Sequence, residues 1–213
     1  MSARSLIAVV ALGLAPACGG GGGGGGGGTV IVDDTDPVDE TVNVGLDVGA
    51  GLAELSLNEL VGNDYLVQIG MTATILASHN DGEIAEADLA AQLVDDPEIF
   101  AFANQLILEH EDLNVDLDGT LRFYGVGYFP SDTADQLAAQ ASADIGDLRG
   151  TPPGDVDFVF VEAQVINHAA AQVLLDQLYE VIGPGDMGDF ILDSIDVNDL
   201  HLAEAEVLLS TFY

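Results

Sequence analysis

From position 64 onward, apolar residues recur at three- and four-residue spacing through four long segments, and no strand-like alternation is sustained. That pattern restricts the chain to packed helices. The first segment covers 64–93 and carries Ile69, Ala73, Leu76, Glu83, Ala87 and Ala90 on one stripe. The second opens on Asp96-Pro97-Glu98, a helix-start signal, and lines up Ile99, Phe102, Leu106, His110, Leu113 and Leu117 before Gly119 is expected to end it. A third begins near Asp155 with Phe158, Val161, Val165, His168, Gln172, Leu175 and Tyr179, and stops at Gly183-Pro184-Gly185. The last runs from about Met187, with Val197, His201, Glu204, Ala205, Leu208 and Phe212 along one face.

The first two segments and the last two are separated by tight turns. Between the pairs lie some 35 residues, with a short helix expected over 131–145. Two helical hairpins joined by a long crossover predict an all-α, ferritin-like four-helix bundle, with an up-down-up-down bundle as the alternative. A connection this long inside a compact domain has a task, and returning the chain along the bundle is one. Tyr124 and Tyr128, flanking Gly125 and Gly127, are read as packing that crossover on the bundle.

Three of the four histidines sit inside these stripes, His110, His168 and His201, one per segment, and the first segment contributes Glu83. Counting from the turns at about 1.5 Å per residue places the two members of each hairpin within about one helical turn in height. If the crossover makes the second and third segments parallel, all four groups meet near mid-bundle; if antiparallel, the pairs are offset by roughly 7 Å. Three readings stand for this set. It binds a transition metal such as zinc, iron or copper; it forms a buried hydrogen-bond network with Asn114 and Gln172; or some members face solvent. An oxidase-type di-iron centre needs a Glu-x-x-His pair on each of two helices. Here Glu109 adjoins His110 and is read as pointing elsewhere, Glu162 lies six residues before His168, and Glu204 follows His201. His79, beside Asn80-Asp81-Gly82, is read as a surface residue at a kink. No nucleophile–base set is evident, so no catalytic residue is assigned.

The residues before 64 give an address. Positions 1–17 have the form of an export signal: Arg4, an apolar core over 6–14, and the small-residue exit Ala15-Pro16-Ala17. Cys18, the single cysteine, follows at once and is expected to carry lipid, although Ala15 departs from the usual Leu or Val. Residues 18–63 then read as the lipidated cysteine, ten glycines and an acidic tether. The glycine run has no strand before it and is not a phosphate loop. Gly19, where an aspartate would signal inner-membrane retention, points to the outer membrane, facing the periplasm or the cell surface. After the leader, 37 acids face only Arg122 and Arg149, and lysine is absent. Such a field repels nucleic acid, so the expected partner is a membrane reached through the lipid.

Glu83 with Ala90, Phe102-Ala103, Glu109-His110 with Asn114, Val165 and His168 with Leu175, and His201 with Ala205 occur in an order and spacing that resemble a bacterial family of exported ferritin-like proteins. That family is called domain of unknown function 4142 and is often labelled as outer-membrane proteins. The resemblance covers about 65–209 and implies a ferritin-like bundle in the cell envelope. It brings no mechanism with it.

Overall fold

The computed structural model describes residues 57–213, which lie in one compact unit. The export signal at 1–17, Cys18, the glycine run and the acidic tether up to residue 56 fall outside the described residues. Five helices follow in order: α1 (Tyr65–Leu93), α2 (Pro97–Tyr124), α3 (Asp132–Gly150), α4 (Val156–Ile182) and α5 (Asp186–Leu209). The protein is an all-α bundle, in which α1 packs along α2, α4 along α5, and α3 along the outer side of α1.

Three boundary expectations are corrected. α1 runs unbroken through Asn80-Asp81-Gly82, where a kink was expected. Gly82 faces the Ala141 methyl on α3 so closely that an added Cβ would lie 2.9 Å from it, so the glycine serves close helix approach rather than a break. α2 continues past Gly119 because the buried stripe through Leu113 and Leu117 goes on to Leu121, and it stops at Gly125, whose φ of 67° is left-handed. The crossover is a full helix of 19 residues ending at Gly150, not a short one ending near 145.

Capping fixes how these helices start. Asp96 accepts from the Glu98 and Ile99 amides, as its position before Pro97 predicts. α3 is capped twice. Ser131 Oγ accepts from Ala134 N, and Glu59, from a short 3-10 turn at Leu57–Glu59, accepts from Ser131 Oγ and the amides of Asp132 and Thr133. Burial works to raise the Glu59 carboxyl, but these donors outweigh it and hold it below its ordinary value.

The crossover decides the topology. Gly70 O accepts from Phe129 N at 3.1 Å, and Ser78 Oγ donates to Ala134 O at 2.8 Å. The chain therefore climbs beside α1 and runs parallel to it. At the far end Asp157, at the start of α4, accepts from the amides of Asp95 and Asp96 before α2. At the near end Tyr124 Oη, closing α2, accepts from Met187 N at the start of α5. So α2 and α4 start together and run parallel, the ferritin-like alternative rather than the up-down-up-down one. α4 is long and apolar enough to cross a bilayer, yet 61% of its apolar window is buried inside the bundle.

The core is divided. One apolar cluster gathers Ile69, Leu76, Leu117, Leu175, Leu178 and Ile191; the other gathers Ile99, Phe102, Leu106, Phe160, Val161 and Leu208. Between them lies a slab of buried polar side chains from α1, α2, α4 and α5. Interrupting a core in this way is costly unless those groups are satisfied.

A candidate metal centre at mid-bundle

His110, His168 and His201 come together in that slab from α2, α4 and α5. All three are buried, and one nitrogen from each lies within 4.8 Å of the other two. Ring centroids are 5.2 Å apart for His168–His201, 5.3 Å for His110–His201 and 6.3 Å for His110–His168. The helix-height count thus holds for the histidines because α2 and α4 are parallel. Glu83 parts from them. It turns toward α3 and α4 and lines a separate cavity with Glu86, Asp144 and Asn167.

Hydrogen bonds fix how each ring faces inward. Asn80 donates its amide to Asn114 Oδ1 at 2.9 Å, so its oxygen is the atom that meets His110 Nδ1 at 3.1 Å. His110 therefore carries its proton on Nδ1, and its buried Nε2 has no partner. His168 Nδ1 donates to Gln164 O at 2.9 Å, which leaves Nε2 as a lone pair. That lone pair meets His201 Nδ1 at 3.2 Å, while His201 Nε2 meets Glu109 Oε2. Asn198 Nδ2 donates to His168 O and to Gln172 Oε1, which steadies α4 against α5.

Electrostatics keep the rings neutral. Burial lowers His168 to about 3 and His79 to about 4, and carries His110 well below the usual imidazole value; neighbouring imidazoles add to each shift. His201 is also lowered by burial, against the pull of Glu109. A neutral His201 has one proton for two acceptors. With the proton toward Glu109, its Nδ1 lone pair faces that of His168. With the proton toward His168, its Nε2 lone pair faces a carboxylate oxygen. The first leaves a repulsive contact between two fully buried nitrogens, and the second places one at the half-exposed Glu109 carboxylate.

A cation among the rings removes that conflict. Two imidazole nitrogens bound to a tetrahedral zinc ion at 2.0–2.1 Å are about 3.3 Å apart, close to the His168–His201 spacing. The outer nitrogens of all three rings already have an orienting acceptor: Asn80, the Gln164 carbonyl and Glu109. That is the arrangement in which metal-ligating histidines are held.

Two residues of the centre depart from the sequence reading. His79 is buried and stacks edge-on against His110 with ring centroids 5.7 Å apart, because unbroken α1 turns it inward. Glu109 points away from α2's own stripe, but α5 lies on that side and His201 reaches it. Asn114 acts through Asn80 rather than on His110 directly, and it also donates to Asp81.

A family model described as domain of unknown function, DUF4142, matches residues 70–208, which is most of the chain. The chain belongs to the DUF4142 family. The matched span holds all five helices except the first turn of α1 and the last residue of α5, so the DUF4142 domain and the polar slab coincide. No curated protein and no solved structure matches this DUF4142 chain.

Proposed function

We propose that this DUF4142 chain is a metal-binding protein of the cell envelope, lipid-anchored through Cys18, whose bundle holds one first-row transition ion on His110, His168 and His201. The supporting observation is the set of three buried imidazoles whose outer nitrogens are tied and whose inner lone pairs face one another. Neutral imidazole suits zinc, copper(II) and iron(II). Among these, zinc fits best, because its tetrahedral ligand spacing is close to that of His168 and His201. Glu109 is a positioning residue: it fixes the His201 tautomer so that Nδ1 is presented inward. Three protein ligands leave room for an exchangeable one, in keeping with uptake and release of the ion rather than a purely structural lock. The acidic exterior concentrates cations at the surface, which aids capture.

Elemental analysis of protein purified without a histidine tag tests this reading. The expected result is close to one zinc or copper ion per chain, lost in His110→Ala. No stoichiometric metal, and no difference between the two proteins on titration with zinc, would exclude it.

A second reading is favoured by one feature, the Asn198 amide that bridges His168 O and Gln172 Oε1. Such bonds fix helix register without metal. Here the slab would act as a register lock in a binding or structural module, and zinc would not raise the melting temperature.

A further inference from the structure

Between α1, α3 and α4 lies a polar cavity of about 20 Å³, lined by Ser78, His79, Glu83, Glu86, Asp144 and Asn167 among others. A space that holds one water needs roughly 10–15 Å³, so there is room for little more than one. Three buried carboxylates border it: Glu83 is 5% exposed, Glu86 3% and Asp144 6%. Glu83 and Glu86 sit one turn apart on the same face of α1. Asp144 comes from the inner stripe of α3, between its apolar anchors Leu137 and Leu148. From α4 the Asn167 amide donates to Glu86 Oε2 at 3.3 Å, while Glu83 Oε2 has no hydrogen-bond partner. α2 and α5 contribute nothing to the lining. Among the described residues the only Lys and Arg side chains are Arg122 and Arg149, and both are exposed. His79, lowered to about 4 by burial, is neutral above that pH. No positive charge therefore balances the three acids.

Such a group is stable only while it stays protonated. Burial pushes Glu83 up to about 7 and raises Glu86 and Asp144 as well; Glu83 and Asp144 add to the shift of Glu86, and exposed Asp147 adds to that of Asp144. Once ionised, the carboxylates repel one another in a space too small to hydrate them, so relief requires an element to move. α1 and α4 are committed to both apolar clusters, which they feed at either end. α3 is not: of its 19 residues only Thr133, Ala134, Leu137, Asp144 and Leu148 are buried. Its start is pinned by the Glu59 cap and by the bond from Ser78 Oγ to Ala134 O. The part left to yield is its second half, which carries Asp144.

We infer that α3 is a proton-dependent lid: it stays docked while Glu83 and Glu86 are protonated, and residues 140–150 lift off α1 and α4 as those carboxyls ionise. The sign follows from linkage. A folded value above the unfolded one makes docking strongest below about 4.5 and weakens it as pH rises through about 7. Lifting exposes His79, whose ring stacks on His110, so the lid borders the histidine centre. The inference does not depend on that centre holding metal.

Hydrogen exchange of the full chain read by mass spectrometry tests the lid, in chelator and in about 0.5 M sodium chloride to screen repulsion across the acidic surface. Protection is taken relative to the unstructured rate at each pH, since exchange itself speeds up with pH. From pH 5.5 to 8.5 the amides over 140–149 are expected to lose protection at least tenfold, while those of α2 and α5 change much less. The double variant Glu83→Gln with Glu86→Gln should remove this dependence and keep α3 protected at pH 8.5. Asp144→Asn, on α3 itself, should reduce the dependence in the same direction and serves if the double variant does not fold. Protection of α3 that does not vary with pH would overturn the proposal. So would a loss unaltered by the variants, or an equal loss in α2 and α5, which would mean that the whole bundle loosens. Zinc content measured on separate samples without chelator reports independently on the histidine centre.

Discussion

His168 Nε2 and His201 Nδ1 face each other at 3.2 Å in the middle of the bundle, with no water-accessible side and only one proton to satisfy both His201 contacts. Much of the chemistry follows from that relationship. The Gln164 carbonyl and the Glu109 carboxylate claim the outer nitrogens, so the inner ones are bare.

Removing a ligand should separate metal binding from folding. His168→Gln keeps a polar side chain of similar reach but loses the imidazole lone pair. Zinc affinity is expected to fall by at least 100-fold, read by competition with a chromophoric chelator, while the metal-free protein keeps its helical circular dichroism.

Glu109→Gln tests the positioning role. The amide can still meet His201 but no longer enforces the tautomer with a negative charge. Orienting partners of this kind are worth about 10- to 100-fold in metal affinity. Glu109→Gln should fall in that range with stoichiometry unchanged, and a loss that vanishes in high salt would instead indicate diffuse attraction.

The carboxylate cavity should make metal-free stability depend on pH. Burial pushes Glu83 up to about 7, with Asp144 adding and Gln164 opposing; burial, then Glu83, carries Glu86 up as well. A folded value above the unfolded one means that the contribution is fully present below about 4.5 and is lost as pH rises toward 7. The imidazoles act oppositely: lowered by burial, they contribute stability above about 6.5 that is lost as pH falls toward 4. In chelator, Glu83→Gln should therefore match the natural chain at pH 4.5 and exceed it at pH 8 by on the order of 1–3 kcal/mol. Equal differences at both pH values would show that Glu83 is not held protonated.

Glu59 caps α3 from outside that helix. Glu59→Ala removes the acceptor for Ser131 Oγ and two amides, and a lost cap costs about 0.5–2 kcal/mol. Chemical denaturation should show a loss of that size, and hydrogen exchange should place the added fraying at the first turn of α3.

The crossover packs tightly on α1 at Gly70, where an added Cβ would lie 2.0 Å from the Phe129 ring and 2.6 Å from Gly127 O. Gly70→Ala should destabilise by about 1–3 kcal/mol, since overpacking forces backbone or ring to move. Gly119→Ala, with open space around it, should not destabilise.

Helix count, hairpin pairing and the height of the three histidines were legible because each depends on spacing along one chain. The parallel course of α2 and α4 was legible only as one of two options; nothing local to either helix distinguishes them, and the choice is made by Phe129 and Ser78 contacts far from the histidines. Glu83 was read at the right height but in the wrong company. Its direction around α1 depends on α3, which covers that side and supplies Asp144. His79 was misread because Asn80-Asp81-Gly82 has the composition of a break; in the fold Asn80 bonds His110 and Gly82 admits α3, so the helix continues. Glu109 was set aside because neighbours on one helix diverge by about 100°, a rule that holds for α2 alone. The Glu109-His110 pair was itself the available signal, as two adjacent faces meeting two different helices.

X-ray absorption at the zinc edge, on the tag-free chain loaded with one equivalent, bears most directly on the histidine centre. The account predicts about three imidazole nitrogens near 2.0–2.1 Å with ring multiple-scattering features, a signal lost in His110→Ala, which no longer holds the ion. An oxygen-only shell without those features, unaltered by His110→Ala, would contradict it.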